Sequence, residues 1–142
     1  MSGPGLAQVD SHAAIHEAAL FEAMELNEIL AKLLTSNQLE KALETAYIAV
    51  EHWESRTLKH ADAEERGLYK ELVKSSSKFK EPVIELTRDH DLMRILVREI
   101  KETLDSEGIN EEVLHKFHAL VHVDLIHNEE EEKILASRSL EK

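Results

Sequence analysis

The chain carries four long stretches in which apolar residues return every three or four positions, separated by three short polar breaks. The first runs from about Leu6 to Leu34. Its seam is His16, Ala19, Ala23, Leu26, Leu30 and Leu33, and steps of three and four keep those side chains on one face of an α-helix. Residues Met1 to Gly5 read as a flexible lead-in. Thr35-Ser36-Asn37 interrupts the pattern, and Asn37 with Glu40 has the spacing of a capping box that starts a second helix. That helix is expected to run unbroken to about Val73, with Ala42, Ala46, Ala49, Trp53, His60, Glu64 and Leu68 on its stripe.

Ser75-Ser76-Ser77 makes the next loop. Pro82 suits the first turn of a third helix, where a missing N–H costs nothing. Val83, Leu86, His90, Met93, Val97 and Ile100 carry that helix to about Leu104. Asp105-Ser106-Glu107-Gly108 ends it, and Asn110 can cap a fourth helix. The fourth follows Val113, Phe117, Leu120, His127, Glu131 and Ile134 to about Ala136. Four helices with short connections predict one all-α domain over residues 1–142, an up-down-up-down four-helix bundle.

Composition agrees with the helices and narrows the partners. Four Gly, two Pro and 4% aromatic residues fit an all-α chain. Acids outnumber bases 29 to 17, and the net charge of -12 disfavours nucleic acid and anionic membranes while favouring cations. No cysteine is present, which excludes disulfides, thiolate metal sites and iron–sulfur clusters. No apolar run approaches the roughly 20 residues of a membrane span, and no basic-then-apolar signal stretch opens the sequence. A soluble, cytoplasmic protein is the expectation. Nine histidines in so short a chain are the compositional oddity.

Those histidines carry the chemistry. His60-Ala-Asp-Ala-Glu64 and His127-Asn-Glu-Glu-Glu131 each set an imidazole and a carboxylate four residues apart, about 40° apart in azimuth and about 6 Å apart along a helix. The two halves of the chain look like a divergent repeat: an early His on one helix, a turn, then His-x-x-x-Glu late on the next. His90 lies 18 residues before Gly108 and His127 lies 19 after it. His16 lies 21 before Asn37 and His60 lies 23 after it. Near-equal arms of antiparallel hairpins bring all four imidazoles to one layer.

Imidazole with carboxylate suits iron, manganese or zinc rather than calcium or magnesium. If Glu64 and Glu131 both bridge two ions, each ion receives two imidazoles and two carboxylate oxygens. An oxo or hydroxo bridge supplies a fifth donor and leaves one octahedral position open. The carboxylates would cancel much of the charge of a ferric pair. The expected metal ligands are therefore His16, His60, Glu64, His90, His127 and Glu131. His12, one turn before His16, is an alternative to His16 or a fifth imidazole. Thr57 and Asp124, three residues before a ligand His, read as ordinary boundary polar residues, with a partnership to those rings as the alternative. Ala19 and Ala23 are expected to allow close helix packing, with room for a small molecule beside His16 as the alternative. His52, His115, His118 and His122 fall off the seams and are expected at the surface or its boundary.

The pattern His16, His60-x-x-x-Glu64, His90, His127-x-x-x-Glu131 resembles the hemerythrin-like (HHE cation-binding) domain family over essentially the whole chain. The runs His60-Ala-Asp-Ala-Glu64-Glu65 and His127-Asn-Glu-Glu-Glu131-Glu132, followed by Leu68 and Leu135, are similar to the family's paired His-x-x-x-Glu-Glu helices. The resemblance implies a non-haem di-iron centre that binds O₂, NO or peroxide, with roles in oxygen binding, iron homeostasis or stress response. The oxygen carriers of that family have His-x-x-x-His on the third helix, where Leu86 and Arg94 flank His90 here, and an Asp at longer spacing where Glu131 stands. A His-x-x-x-His pair does occur, at His12 and His16.

Two other functions have sequence signals of their own. A ferritin-like di-iron oxidase or peroxidase needs two Glu-x-x-His motifs, and Glu112-Val-Leu-His115 is the one found, off the seam. A metal-free helical interaction module would hold the histidines as pH-sensitive core residues.

Overall fold

The computed structural model describes the backbone of residues 4–140 and the side chains of residues 13–138. Every described element is helical. The first rod is α1, Pro4–Thr35. The second rod is composite: α2 (Leu39–His52), a π-helical segment Trp53–Leu58, α3 (Lys59–Arg66) and α4 (Leu68–Ser75). A 3₁₀ turn, Ser77–Phe79, leads into α5 (Lys80–Ser106), and α6 spans Glu111–Leu140. α1 packs against α2 and α6, α5 packs against α6, and α2, the π segment and α4 also meet α5.

The ends of these helices follow local chemistry, with three departures from the sequence reading. Helix α1 already includes Pro4 and Gly5, with Pro4 at a first-turn position that tolerates its ring; residues 1–3 of the expected lead-in lie outside the described residues. Asn37 is not an N-cap. Its φ of +56° places it in the left-handed region, which Asn tolerates better than most residues. The Gln38 N–H bonds the Leu33 carbonyl at 2.8 Å and the Asn37 N–H bonds the Leu34 carbonyl at 3.1 Å, a Schellman ending for α1. Ser76 is extended and its hydroxyl accepts the Lys78 N–H, so one residue of true break suffices where three serines suggested a loop. Two expectations fit directly: Gly108 turns the chain at φ +82°, and the Asn110 side chain accepts the Val113 N–H at 3.0 Å.

A further departure is the second rod, expected as one regular helix. Between Trp53 and Leu58 the turn widens, and at Gly67 (φ −115°, ψ −84°) the helix breaks again. An i→i+5 turn holds more residues per turn than an α-turn. It therefore takes up surplus length in the longer arm, the 23 residues from Asn37 to His60.

The inward faces form two apolar clusters. The larger holds Leu30, Trp53, Val97, Ile100, Phe117 and Leu120 among others; the smaller holds Tyr69, Leu72, Phe79 and Leu86. Each fully buried Leu or Phe contributes roughly 1.5–3 kcal/mol through removal from water. A polar layer interrupts this core. On α5, His90 sits between Leu86 and Met93, and on α6, His127 and Glu131 sit between Leu120 and Leu135, all buried.

Candidate metal centre

Side chains from all four rods meet in that layer. Glu131 is 0% exposed, His90 and His127 are 2% and Glu64 is 4%. Ionised groups this deep are costly unless paired or ligating. His16 and His60 complete the layer, with 10% and 27% of their side chains exposed. All six residues singled out from the sequence are thus brought together. The His12 side chain lies outside the described residues.

The six side chains divide into two overlapping groups. Glu64, His90, His127 and Glu131 form one; His16, His60 and Glu64 form the other; within each group the ligand atoms all lie within 4.8 Å of one another. The His90 and His127 Nε2 atoms are 3.1 Å apart. Glu64 offers Oε1 to His90 Nε2 at 3.4 Å and Oε2 to His60 Nε2 at 3.5 Å and to His16 Nε2 at 3.8 Å. Glu131 offers Oε2 to His127 Nε2 at 3.3 Å and Oε1 to His16 Nε2 at 3.5 Å. Each carboxylate therefore turns one oxygen toward each group. Adjacent donors bound to a transition-metal ion at about 2.1 Å lie about 3.0–3.4 Å apart. The observed separations are close to that spacing, so either group could hold a metal ion.

A seventh side chain belongs to this layer. Tyr69 is 2% exposed, and its hydroxyl donates to Glu131 Oε2 at 2.5 Å. The same oxygen lies 3.4 Å from His127 Nε2, 3.5 Å from His90 Nε2 and 3.5 Å from Glu64 Oε1. Its ring stacks on His90, with centroids 5.5 Å apart and planes within 6°. Burial, then the charges of Glu131 and Glu64, push the phenol well above its ordinary value, so it stays a proton donor here.

Two of the imidazoles are held from behind by carboxylates. His90 Nδ1 meets Glu65 Oε2 at 2.7 Å, and His127 Nδ1 meets Asp89 Oδ2 at 3.0 Å. The partner of His127 is thus Asp89 on α5, and the alternative raised for Asp124 on its own helix is not taken up. The Arg94 guanidinium bonds the same Glu65 oxygen and Asp62, each at 2.7 Å, and Asp91 at 2.9 Å. It fixes the carboxylate that fixes His90. Burial alone would lower the His127 imidazole, but the hydrogen bond and charge of Glu131, with Asp89, push it up to about 9.

The layer opens into a cavity of about 40 Å³ whose wall holds the donors His16, His60, Glu64, His90 and His127 together with Ile15, Ala19, Arg56, Thr57, Met93, Asp124 and Asn128. That volume suits two or three water-sized molecules. Ala19 lines this space, the alternative raised for it, whereas Ala23 packs in the larger apolar cluster as expected. Burial pushes the Asp124 carboxyl up to about 6, against the lowering effect of His127 and His90. His115, His118 and His122 are exposed. His52 is half-buried, with Nε2 at 2.9 Å from the Ala19 carbonyl. Glu112 and His115, both 67% exposed, stand at the surface, so the ferritin-like motif takes no part in the layer.

The family model described as the Hemerythrin HHE cation binding domain matches residues 16–138. This chain belongs to that family. The matched span begins at His16 and contains the whole His/Glu layer, so the cation-binding description and the donor cluster point to the same residues. No curated protein and no solved structure matches the chain. Among the described residues, no helix of this HHE domain is long and apolar enough to cross a membrane.

Proposed function

We propose that this HHE domain is an up-down-up-down bundle that holds two iron ions between its rods and binds, senses or reacts with O₂, NO or peroxide. His90 and His127 would hold one ion, His16 and His60 the other, and Glu64 and Glu131 would bridge them. The observation that carries this reading is the division of both carboxylates, one oxygen toward each imidazole pair. Antiparallel neighbours are supported by pairs of contacts: His16 meets Glu131 while Asn27 meets the Phe117 carbonyl, so rising numbers on α1 face falling numbers on α6.

A bound iron pair supplies redox chemistry and an open coordination position for a small ligand. The chain's own residues do the rest. Glu64 and Glu131 neutralise cationic charge that four buried imidazoles cannot. Glu65 and Asp89 accept the Nδ1 hydrogens of His90 and His127, which leaves each Nε2 lone pair turned into the layer. Tyr69 fixes the orientation of Glu131 through its hydroxyl. The small cavity admits a ligand of two or three heavy atoms and little accompanying water.

The test begins with protein purified without added metal. Two iron ions per chain and an absorption band of an oxo-bridged ferric pair are expected, with spectral changes when the reduced protein meets O₂, NO or peroxide. His60→Ala should lose at least one ion, whereas His118→Ala should keep both; equal retention in the two variants would refute the ligand assignment. A colourless, fully folded and metal-free wild-type protein would leave a helical interaction module as the better account.

A further inference from the structure

Position 128 breaks the logic of α6. Apart from Asp124, the buried positions around it are spent on packing, as at Leu120 and Leu135, or on the donor layer, as at His127 and Glu131. Asn128 does neither. It is 7% exposed, it lines the cavity beside His16 and His60, and its side-chain oxygen is buried with no hydrogen-bond partner. Buried acceptors without a donor are rare because the oxygen gives up its water and gains nothing. A leucine would fill a similar volume without that penalty. The unfilled half of the interaction is therefore a donor that comes from outside the chain.

The cavity limits what that donor can be. At about 40 Å³, shared with the donor layer, it takes a molecule of two or three heavy atoms at most. Ile15, Ala19 and Met93 make one part of its wall apolar, and the polar side chains there besides the donors are Arg56, Thr57, Asp124 and Asn128. O₂ and NO carry no hydrogen to donate. Hydrogen peroxide carries two O–H groups on two heavy atoms and fits the same volume.

We infer that Asn128 is a specificity-determining residue whose side-chain oxygen accepts a hydrogen bond from an O–H ligand, so that the cavity favours hydrogen peroxide over aprotic diatomics. The inference rests on the iron-centre reading above and adds the ligand class to it. Asn128 acts on the bound ligand rather than on the ions, and its replacement leaves the six donors in place.

Three measurements test it with the full chain. In the iron-loaded protein, Asn128→Leu should raise the KM for peroxide consumption about tenfold, the scale of one lost hydrogen bond, while NO affinity of the reduced protein stays unchanged. Iron content should equal that of wild type. In the iron-free protein, Asn128→Leu should unfold at the wild-type temperature or above, because it removes an unsatisfied buried acceptor. Unchanged peroxide KM, or an equal loss of peroxide and NO binding, overturns the proposal. So does a fall of several degrees in the iron-free protein, which would mean that the oxygen already has a partner within the fold. If leucine proves too bulky to fold, Asn128→Ala takes its place and the peroxide-against-NO comparison alone decides. Wild-type protein that takes up no iron overturns the iron-centre reading and this inference together; wild-type protein that binds iron and NO but never engages peroxide overturns this inference only.

Discussion

Tyr69 is the residue that a spacing argument cannot find. On a regular helix it lies about 140° away from Glu64, and the stripe through His60 and Glu64 leads to Leu68 instead. The break at Gly67 shifts the inward face by one residue, burying Tyr69 at 2% exposure and leaving Leu68 part-buried. Its hydroxyl then donates to Glu131 and touches three other donor residues. Tyr69→Phe should destabilise the iron-free protein by about 1.5–3 kcal/mol, the usual worth of a buried hydrogen bond to a charged group. Chemical denaturation at neutral pH measures this, and an unchanged midpoint would show that Glu131 needs no such donor. Glu65 and Asp89 escaped for a different reason. Each reaches an imidazole on another rod, and cross-rod register is not written in the spacing along one helix. Arg94, which with Leu86 flanks His90 one turn away on either side, has its guanidinium engaged with Glu65, Asp62 and Asp91.

At the scale of elements, the regular helices were legible and their irregularities were not. The stripes of α1, α5 and α6 place His16, His90, His127 and Glu131 inward because period and burial agree there. Asn110 and Gly108 act as their chemistry suggests, one as cap and one as stop. Asn37 misled because the same residue serves two ends: it favours N-caps, but it also accepts a left-handed φ, and here the ending of α1 claims it. The π segment Trp53–Leu58 has no residue that announces it. Trp53 and Glu64, eleven residues apart, share a face on a regular helix as well, so their burial alone does not call for it. Deleting Ser55, an exposed residue within it, should restore α-helical register and swing His60 by about 100° relative to Trp53. Helical circular dichroism should persist while iron content falls. Full iron retention would show that the wide turn has no bearing on the site.

For the molecule as a whole, the donor layer sets the response to pH. His127 is pushed up to about 9, above the roughly 6.5 of an unfolded chain, so its proton stabilises the iron-free fold below pH about 6.5 and that contribution is lost as pH rises through about 9. Asp124, pushed up to about 6 by burial, and Glu131, raised by burial and by its neighbour Glu64, also hold protons more tightly folded than unfolded. Their contribution declines with the same sign at lower pH. Iron-free protein should therefore lose stability steadily from pH about 5 to about 9, as denaturant midpoints across that range would reveal; a rising profile would contradict the buried layer. Iron replaces those protons, so loading should release acid and apparent affinity should increase with pH.

Residues 16 and 131 supply donors to the same layer from opposite ends of the sequence. A cation seated there works as a clasp, closing nearly the entire polypeptide into a single loop. Neither outer rod can peel away while the clasp is fastened, and an opened clasp frees both. Resistance of the terminal helices to a protease and retention of the ions should thus decay with one common half-life.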